Sequence, residues 1–335
     1  MGNECKCLQA SEEPTQILIT KSERSNGIRK QLISERKLLN QRRHNTETIY
    51  QSTNNCYQKS SKFSHRNEAP QGQNCYFQSI KSYKEFNSLQ TPYQKFELSQ
   101  SLQQQNTEKK KSDSNLLYDG DWLGEVRDGF GEQIWKDGAR YIGEWRNNQA
   151  NGYGIFYHVD GDIYEGFWKD DKAQGYGVYM HKDGSRYEGD WDQDLYHGTG
   201  CETWVDGSKY EGQYSKGMKN GQGIYRWADG SKYDGQWEDN KMNGFGKYTW
   251  ADGRYYEGYW KNDMMHGTGT QIWPDGRKYE GNYEFDKKNG FGVMEWSNGK
   301  KYEGYWLNGK QHGEGKLISA NQEPVVCQWR NGQRL

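Results

Sequence analysis

The chain has little of what defines several common protein classes. Only 32% of its 335 residues are hydrophobic, 5 are proline, and no stretch approaches the roughly 20 apolar residues needed to cross a bilayer. No apolar signal-peptide core follows Met1. The six cysteines, at positions 5, 7, 56, 75, 201 and 327, show neither a disulfide framework nor zinc-site spacing. These absences favour a reducing, cytosolic compartment.

Tryptophan, glycine and negative charge are scarce in the first third of the chain. All 14 Trp lie at or after Trp122, and only three of the 42 Gly precede Tyr118. Residues 1–116 carry 18 Lys and Arg against 11 Asp and Glu, a net charge of +7, while the remainder carries 27 against 35, a net charge of −8. A basic arm suits an anionic surface, whereas an acidic body argues against nucleic acid as a partner.

What the rest of the chain does contain is a tyrosine at every 23rd position. A fixed period of this length indicates a stacked repeat architecture. The nine tyrosines are Tyr118, Tyr141, Tyr164, Tyr187, Tyr210, Tyr233, Tyr256, Tyr279 and Tyr302. Each is followed by Gly at the second position, Trp or Tyr at the fourth, Gly-x-Gly at the eleventh and thirteenth, and in eight repeats Asp-Gly or Asn-Gly at the nineteenth and twentieth.

Each repeat predicts a β-hairpin. Because side chains alternate along a strand, Tyr233, Gly235 and Trp237 share one face. Asp252-Gly253 then provides a hairpin turn, since Gly tolerates a positive φ. We expect the strand glycines to leave slots for the rings of neighbouring strands. The predicted fold is all-β: an elongated, twisted, single-layer ribbon of stacked antiparallel hairpins, with a largely disordered N-terminal arm.

The opposite strand face carries a second aromatic stripe. It is predicted to bind a partner helix or chain, because an exposed apolar patch marks an interaction site; the alternative is that local curvature packs the stripe internally. The stripe comprises Phe130, Tyr153, Tyr176, Phe245 and Phe291. Residues 118–324 form nine repeats, and residues 325–335 form a degenerate half-repeat that we interpret as a cap, because arrays need to shield their last edge.

The unit Tyr-Glu-Gly-x-Trp, Asn-Gly-x-Gly and Trp-x-Asp-Gly resembles the MORN repeat (membrane occupation and recognition nexus). The resemblance covers residues 118–335 and implies an all-β ribbon of hairpins. Proteins of this family are scaffolds at membranes, in ciliary and cytoskeletal assemblies, or beside catalytic domains. The resemblance brings no catalytic residues and no cofactor. Gly-x-Gly pairs in every repeat are interpreted as structural, and histidines scattered over different repeats predict no metal site.

The N-terminal segment, residues 1–20, predicts lipidation. Gly2 follows Met1 as in N-myristoylated proteins, and Cys5 and Cys7 are candidates for palmitoylation, although Lys6 stands where Ser or Thr is preferred. One myristoyl chain binds membranes weakly, so firm anchoring needs a second signal.

Residues 21–44 offer that signal as a basic amphipathic segment. Ile28, Leu32 and Leu39 fall on one helical stripe, and an anionic lipid surface is the predicted partner. The alternative is a solvated basic stretch with transient helix. The predicted membrane-binding residues are Lys21, Arg24, Arg29, Lys30, Arg36, Lys37, Arg42 and Arg43. Residues 45–116, rich in Gln, Asn, Ser and Lys, are predicted to be a disordered linker.

Together these features predict a non-enzymatic scaffold. A lipidated, basic arm would hold the ribbon at the cytosolic face of a membrane, and the ribbon would present itself to unidentified protein partners or lipid head groups. The alternative is a structural component of a ciliary or cytoskeletal assembly, in which the ribbon docks on protein.

Overall fold

A computed structural model describes residues 32–48, 51, 117–319 and 322–335. The chain divides into two compact units. We call the described residues up to 182 the N-terminal unit and the described residues from 183 onward the C-terminal unit. The N-terminal unit contains a helix, α1, over residues 32–48, with residue 51 also helical, and six strands. The C-terminal unit contains fourteen strands.

The strands of the N-terminal unit are β1 Leu117–Leu123, β2 Val126–Ile134, β3 Arg140–Arg146, β4 Gln149–Tyr157, β5 Ile163–Lys169 and β6 Lys172–Met180. Those of the C-terminal unit are β7 Arg186–Asp192, β8 Leu195–Thr203, β9 Lys209–Ser215, β10 Met218–Arg226, β11 Lys232–Glu238, β12 Lys241–Thr249, β13 Tyr255–Lys261, β14 Met264–Ile272, β15 Lys278–Glu284, β16 Lys287–Glu295, β17 Lys301–Leu307, β18 Lys310–Ile318, β19 Val325–Arg330 and β20 Gln333–Arg334.

Within each unit, every strand pairs antiparallel with its neighbours in sequence, so the predicted all-β fold of stacked hairpins is confirmed. A repeat supplies a seven-residue strand and then a nine-residue strand. Inside a repeat the turn is two residues long: Asp239 and Asn240, between β11 and β12, have φ values of 47° and 66°. Two positive φ values are typical of the type I′ turn, whose twist matches that of the strands it joins.

The second turn is the one that Asp-Gly predicts. Between β12 and β13 the Trp250 amide donates to the Arg254 carbonyl at 2.9 Å, and the Gly253 amide donates to the Trp250 carbonyl at 3.0 Å. Gly253 adopts a φ of +87° there, a region that L side chains rarely enter.

The core face is a ladder of rings over glycine, as predicted. The fully buried Tyr233 ring lies against Gly246 on the paired strand, and its hydroxyl donates to the Gln236 carbonyl at 2.9 Å. Trp237 meets the Tyr233 ring edge to face at 5.2 Å, and Trp260 of the next repeat does so at 5.6 Å. Edge-to-face pairs at these distances are favourable beyond their area burial. Each repeat therefore completes the core of the one before it.

Two features lie beyond this repeated pattern. Helix α1 packs on the sheet of the N-terminal unit and adds a second layer there. Helix α1 includes residues 45–48 and 51, which the sequence predicts to belong to the disordered linker. Two contacts support the helix there: Arg43 pairs with Glu47 at 2.9 Å, and the Thr46 hydroxyl donates to the Arg42 carbonyl at 2.9 Å. In the C-terminal unit, Trp329 of the last half-repeat contacts the Tyr302 ring at 5.6 Å.

Candidate docking face

The strand face opposite the core ladder carries the predicted aromatic stripe, and we call it the stripe face. In the N-terminal unit, α1 covers it. Leu39 of α1 is 5% exposed and belongs to one buried cluster with residues of β2 to β5. Leu32 packs against this cluster, so the two leucines of the predicted helical stripe both face the ribbon. The strand residues of the cluster are Phe130, Ile142, Tyr153, Ile155, Tyr157 and Ile163.

Ion pairs hold the same helix at its charged edge. Arg42 pairs with Glu165 at 2.8 Å, with side chains 13% and 11% exposed, and Arg43 pairs with Glu144 at 2.6 Å. Burial lowers the pKa of Arg42, but the charge and hydrogen bond of Glu165, together with Tyr153 and Tyr157, outweigh burial, so that the pKa is raised overall. Removing one partner of a buried pair leaves an uncompensated charge, so Arg42 and Glu165 depend on each other.

Tyr153 connects the apolar and charged parts of this contact. Its ring is 3% exposed, and its hydroxyl donates to Glu165 at 2.9 Å and lies 3.4 Å from the Thr46 hydroxyl of α1. Burial, and then the negative charge of Glu165, raise the pKa of Tyr153 well above its ordinary value, so this hydroxyl stays protonated. It therefore donates to Glu165 while that carboxylate also accepts from Arg42.

The other predicted residues of the arm have mixed placements. Arg36 is exposed, lies 3.3 Å from Asp121 and sits 5.6 Å above the Phe130 ring centroid. Lys37 is exposed. Membrane binding by these residues stays a prediction. The remaining predicted lipidation and basic sites lie outside the described residues: Gly2, Cys5, Cys7, Lys21, Arg24, Arg29 and Lys30.

In the C-terminal unit the stripe face is open. Phe245 and Phe291 are 49% and 45% exposed. Each meets an exposed tyrosine of the next strand edge to face, Tyr259 at 5.5 Å and Tyr305 at 5.7 Å. Large side chains of this kind are normally buried, so the two exposed pairs form two apolar patches on one strand face, with Thr268 and Asn282 of β14 and β15 between them. Tyr176 of the stripe, in the N-terminal unit, is partly buried.

The exposed patch of Phe291 and Tyr305 repeats the geometry of the part of the face that α1 covers. In the N-terminal unit, Tyr153 stands opposite Phe167, and Ile155 stands opposite Glu165. The equivalent residues of β16 and β17 in the C-terminal unit show the same two pairings, Phe291 with Tyr305 and Val293 with Glu303. Even the ring geometry agrees, because Tyr153 and Phe167 also meet edge to face, at 5.3 Å.

The acidic half of this face is not among the residues predicted from the sequence. Glu165 follows Tyr164 directly, which places it on the stripe face beside Ile155, and the same holds for Glu303 after Tyr302. Alternation along the strand is the signal that could have found them. Glu144 stands opposite Phe130 in the same way.

Other chemistry finds little support in the described part of the chain. Over residues 32–48, 51, 117–319 and 322–335, no group of three His, Cys, Asp or Glu side chains is arranged to hold a metal ion. The helix within these residues is neither long nor apolar enough to cross a membrane.

Comparison with family models finds the MORN repeat nine times in succession. The matched residues are 118–140, 141–163, 164–186, 187–209, 210–232, 233–253, 256–276, 279–301 and 302–323. No curated protein matches the chain.

Among solved structures, the TCP10 domain of Danio rerio CPAP in complex with a STIL peptide is 10% identical over 63% of this chain and 97% of that chain, with a TM-score of 0.35. The SAS-4 TCP domain of Drosophila melanogaster with a proline-rich motif is 12% identical over 52% and 96%, with a TM-score of 0.31.

Proposed function

The chain belongs to the MORN-repeat family, and on that premise we propose that it is a non-enzymatic scaffold that docks a protein partner on the stripe face of its C-terminal unit. Proteins built from MORN repeats are generally scaffolds for protein or lipid binding. The observation that carries the proposal is the exposure of the Phe245–Tyr259 and Phe291–Tyr305 ring pairs. An aromatic patch of this kind gains affinity when a partner excludes water from it.

The partner chemistry follows from α1. That helix seats Leu39 beside Tyr153 and Ile155, and places Arg42 on Glu165. Since Phe291, Val293 and Glu303 repeat this arrangement, the occupant is an amphipathic helix with an apolar stripe and an arginine or lysine three residues beyond its central leucine. Helix-in-groove recognition uses such anchors at positions three and four residues apart.

In this proposal the N-terminal arm attaches the scaffold to a membrane. Acylation of Gly2, with acylated Cys5 or Cys7 as the second anchor, would hold the protein at the cytosolic face of a membrane. Two anchors are needed because a single acyl chain gives only reversible membrane binding. The sequence pattern and the net charge of +7 over residues 1–116 support this part.

Docking is tested with the full chain and a fluorescent peptide of residues 30–51, whose binding is followed by anisotropy. Burying a Phe side chain is worth about 1.5–3 kcal/mol, so Phe291→Ser is expected to weaken binding by roughly 10-fold or more. Thr268→Ser is the matched control, because Thr268 is exposed and holds the equivalent position one repeat earlier. Equal affinity of the wild-type chain and Phe291→Ser would refute docking at this face, and would indicate exchange with α1 instead.

The arm is tested by cell fractionation. We expect Gly2→Ala to move the protein from the membrane to the soluble fraction. If both forms instead sediment with cytoskeletal or axonemal material, the tether is wrong and a structural role in such an assembly takes its place.

A further inference from the structure

Two repeats of the C-terminal unit place a lysine inside the aromatic core ladder. Lys219 and Lys288 stand nine residues after Tyr210 and Tyr279, and each extends over the rings of its own and adjacent repeats. At Lys219 the ammonium is 4.9 Å from the Trp204 ring centroid and 5.2 Å from that of Tyr210. It also pairs with the Glu202 carboxylate at 3.3 Å. Rings and carboxylate together stabilise this partly buried cation.

Lys288 has the same rings without the carboxylate. Its amine nitrogen is 5.0 Å from the Trp273 centroid, 4.6 Å from that of Tyr279 and 5.0 Å from that of Trp306. Where Glu202 stands in the earlier repeat, this one has Gln271. Its nitrogen donates to the Met294 sulfur at 3.8 Å, and a thioether is a weak acceptor.

The neighbours of Lys288 do not supply the missing charge. The Gln271 side-chain oxygen accepts the hydroxyl proton of Tyr283 at 3.0 Å, and burial raises the pKa of Tyr279 and Tyr283, which stay neutral. Arg277, paired with Asp275 at 2.7 Å, is the charged group that acts on Lys288.

The ring faces attract an ammonium, but no carboxylate of the described residues balances its charge here, and burial favours the uncharged amine. Burial, and then the positive charge of Arg277, lower the pKa of Lys288 to about 8. Roughly a quarter of the molecules then carry the free amine at about pH 7.5, against about one in a thousand for an ordinary lysine. Lys288 is partly rather than fully buried. A desolvated lysine near another cation is a known way to activate an amine as a nucleophile.

We propose that Lys288 is a covalent modification site, whose amine takes small acyl groups from thioesters. The amine lone pair attacks the thioester carbonyl carbon, the new C–N bond forms, and the C–S bond breaks. The thiolate leaves with the bonding electron pair, and the nitrogen loses one proton to water. The product is a neutral amide, which removes the positive charge from among the three rings of Trp273, Tyr279 and Trp306.

The test uses the full-length protein and an acetyl thioester, S-acetyl-N-acetylcysteamine. Acetylation of each lysine at about pH 7.5 is followed by peptide mass spectrometry. Lys288 is expected to react at least about 10-fold faster than Lys219, its carboxylate-paired equivalent, and than the exposed Lys287 beside it. A rate at Lys288 equal to that of Lys287 would overturn the proposal.

Two substitutions that exchange equivalent residues between the repeats distinguish the effect of the missing carboxylate from general accessibility. Gln271→Glu places at Lys288 the carboxylate that Lys219 has, and it keeps an acceptor for the Tyr283 hydroxyl, as Glu202 does for Tyr214 at 3.0 Å. We expect it to slow acetylation of Lys288 at least about fivefold at this pH, and Glu202→Gln to speed that of Lys219. An unchanged Lys288 rate in a folded Gln271→Glu protein would also overturn the assignment.

Discussion

The ring-and-glycine core makes a sharp prediction for Gly246→Ala. A Cβ atom at Gly246 would lie 2.5 Å from Cζ and 2.6 Å from Cε2 of Tyr233, and close to its hydroxyl as well. The ring has no room to withdraw, because its hydroxyl bonds the Gln236 carbonyl and the rings of Trp237 and Trp260 flank it. The added methyl group must therefore displace the ring or separate the paired strands.

The expected loss in the free energy of unfolding follows from these two structural effects. Forcing one extra carbon into a packed core costs about 1–3 kcal/mol, and loss of the Tyr233 hydrogen bond adds about 1 kcal/mol. We expect Gly246→Ala to lower the free energy of unfolding by about 3 kcal/mol, measured by urea denaturation of the full chain with tryptophan fluorescence. Gly230→Ala is the control: a Cβ there meets nothing within 4 Å, but the residue has a φ of +89°. Its cost is about 1 kcal/mol, from the left-handed backbone alone.

The comparison of the two variants tests whether close packing of ring on glycine stabilises the repeats. If Gly246→Ala costs no more than Gly230→Ala, the Tyr233 ring yields easily and the closely packed ladder is not what stabilises the repeats.

Two further predictions concern α1 and the partly buried carboxylate of Asp190 in β7, which accepts a hydrogen bond from the Thr199 amide at 2.8 Å. Leu39→Ala should cost about 2–5 kcal/mol of α1 docking and speed amide exchange in residues 32–48, whereas Leu38→Ala, at an exposed position, should not; equal exchange in both would contradict the packing. Burial raises the pKa of Asp190, so its contribution to stability falls as pH rises through that pKa. Asp190→Gln, the residue type found at Gln213, should therefore stabilise the chain at about pH 8, with a gain that shrinks in acid; a larger gain in acid would show the opposite sign.

The sequence predicts the core face well because its signals are local. Tyr233, Gly235 and Trp237 share a strand face by simple alternation, and Gly246 is recognisable as a slot because it recurs opposite the ring in every repeat. The Asp-Gly turn is equally local. These features need no knowledge of residues far along the chain.

The cover over the stripe is a long-range feature, and the sequence does not reveal it. Leu39 lies 114 positions before Tyr153, and no periodicity links them. The residues of the predicted partner-binding stripe therefore differ between the two units. Phe130 and Tyr153 pack under α1 of the same chain, while Phe245 and Phe291 remain exposed. The helix was predicted, but its amphipathic face gave no reason to prefer the ribbon over a lipid surface.

Docking of α1 constrains how the basic arm can serve a membrane. Arg42 is 13% exposed in its pair with Glu165, so it cannot contact a lipid head group while α1 lies on the ribbon. Arg43 is likewise engaged by Glu144 at 2.6 Å. The proposed membrane attachment would then use Gly2, the basic residues before α1 and the exposed Arg36 and Lys37, or else detach α1 and uncover Tyr153. Leu39→Ala separates these cases, because releasing α1 should increase vesicle binding only if its arginines belong to the membrane site.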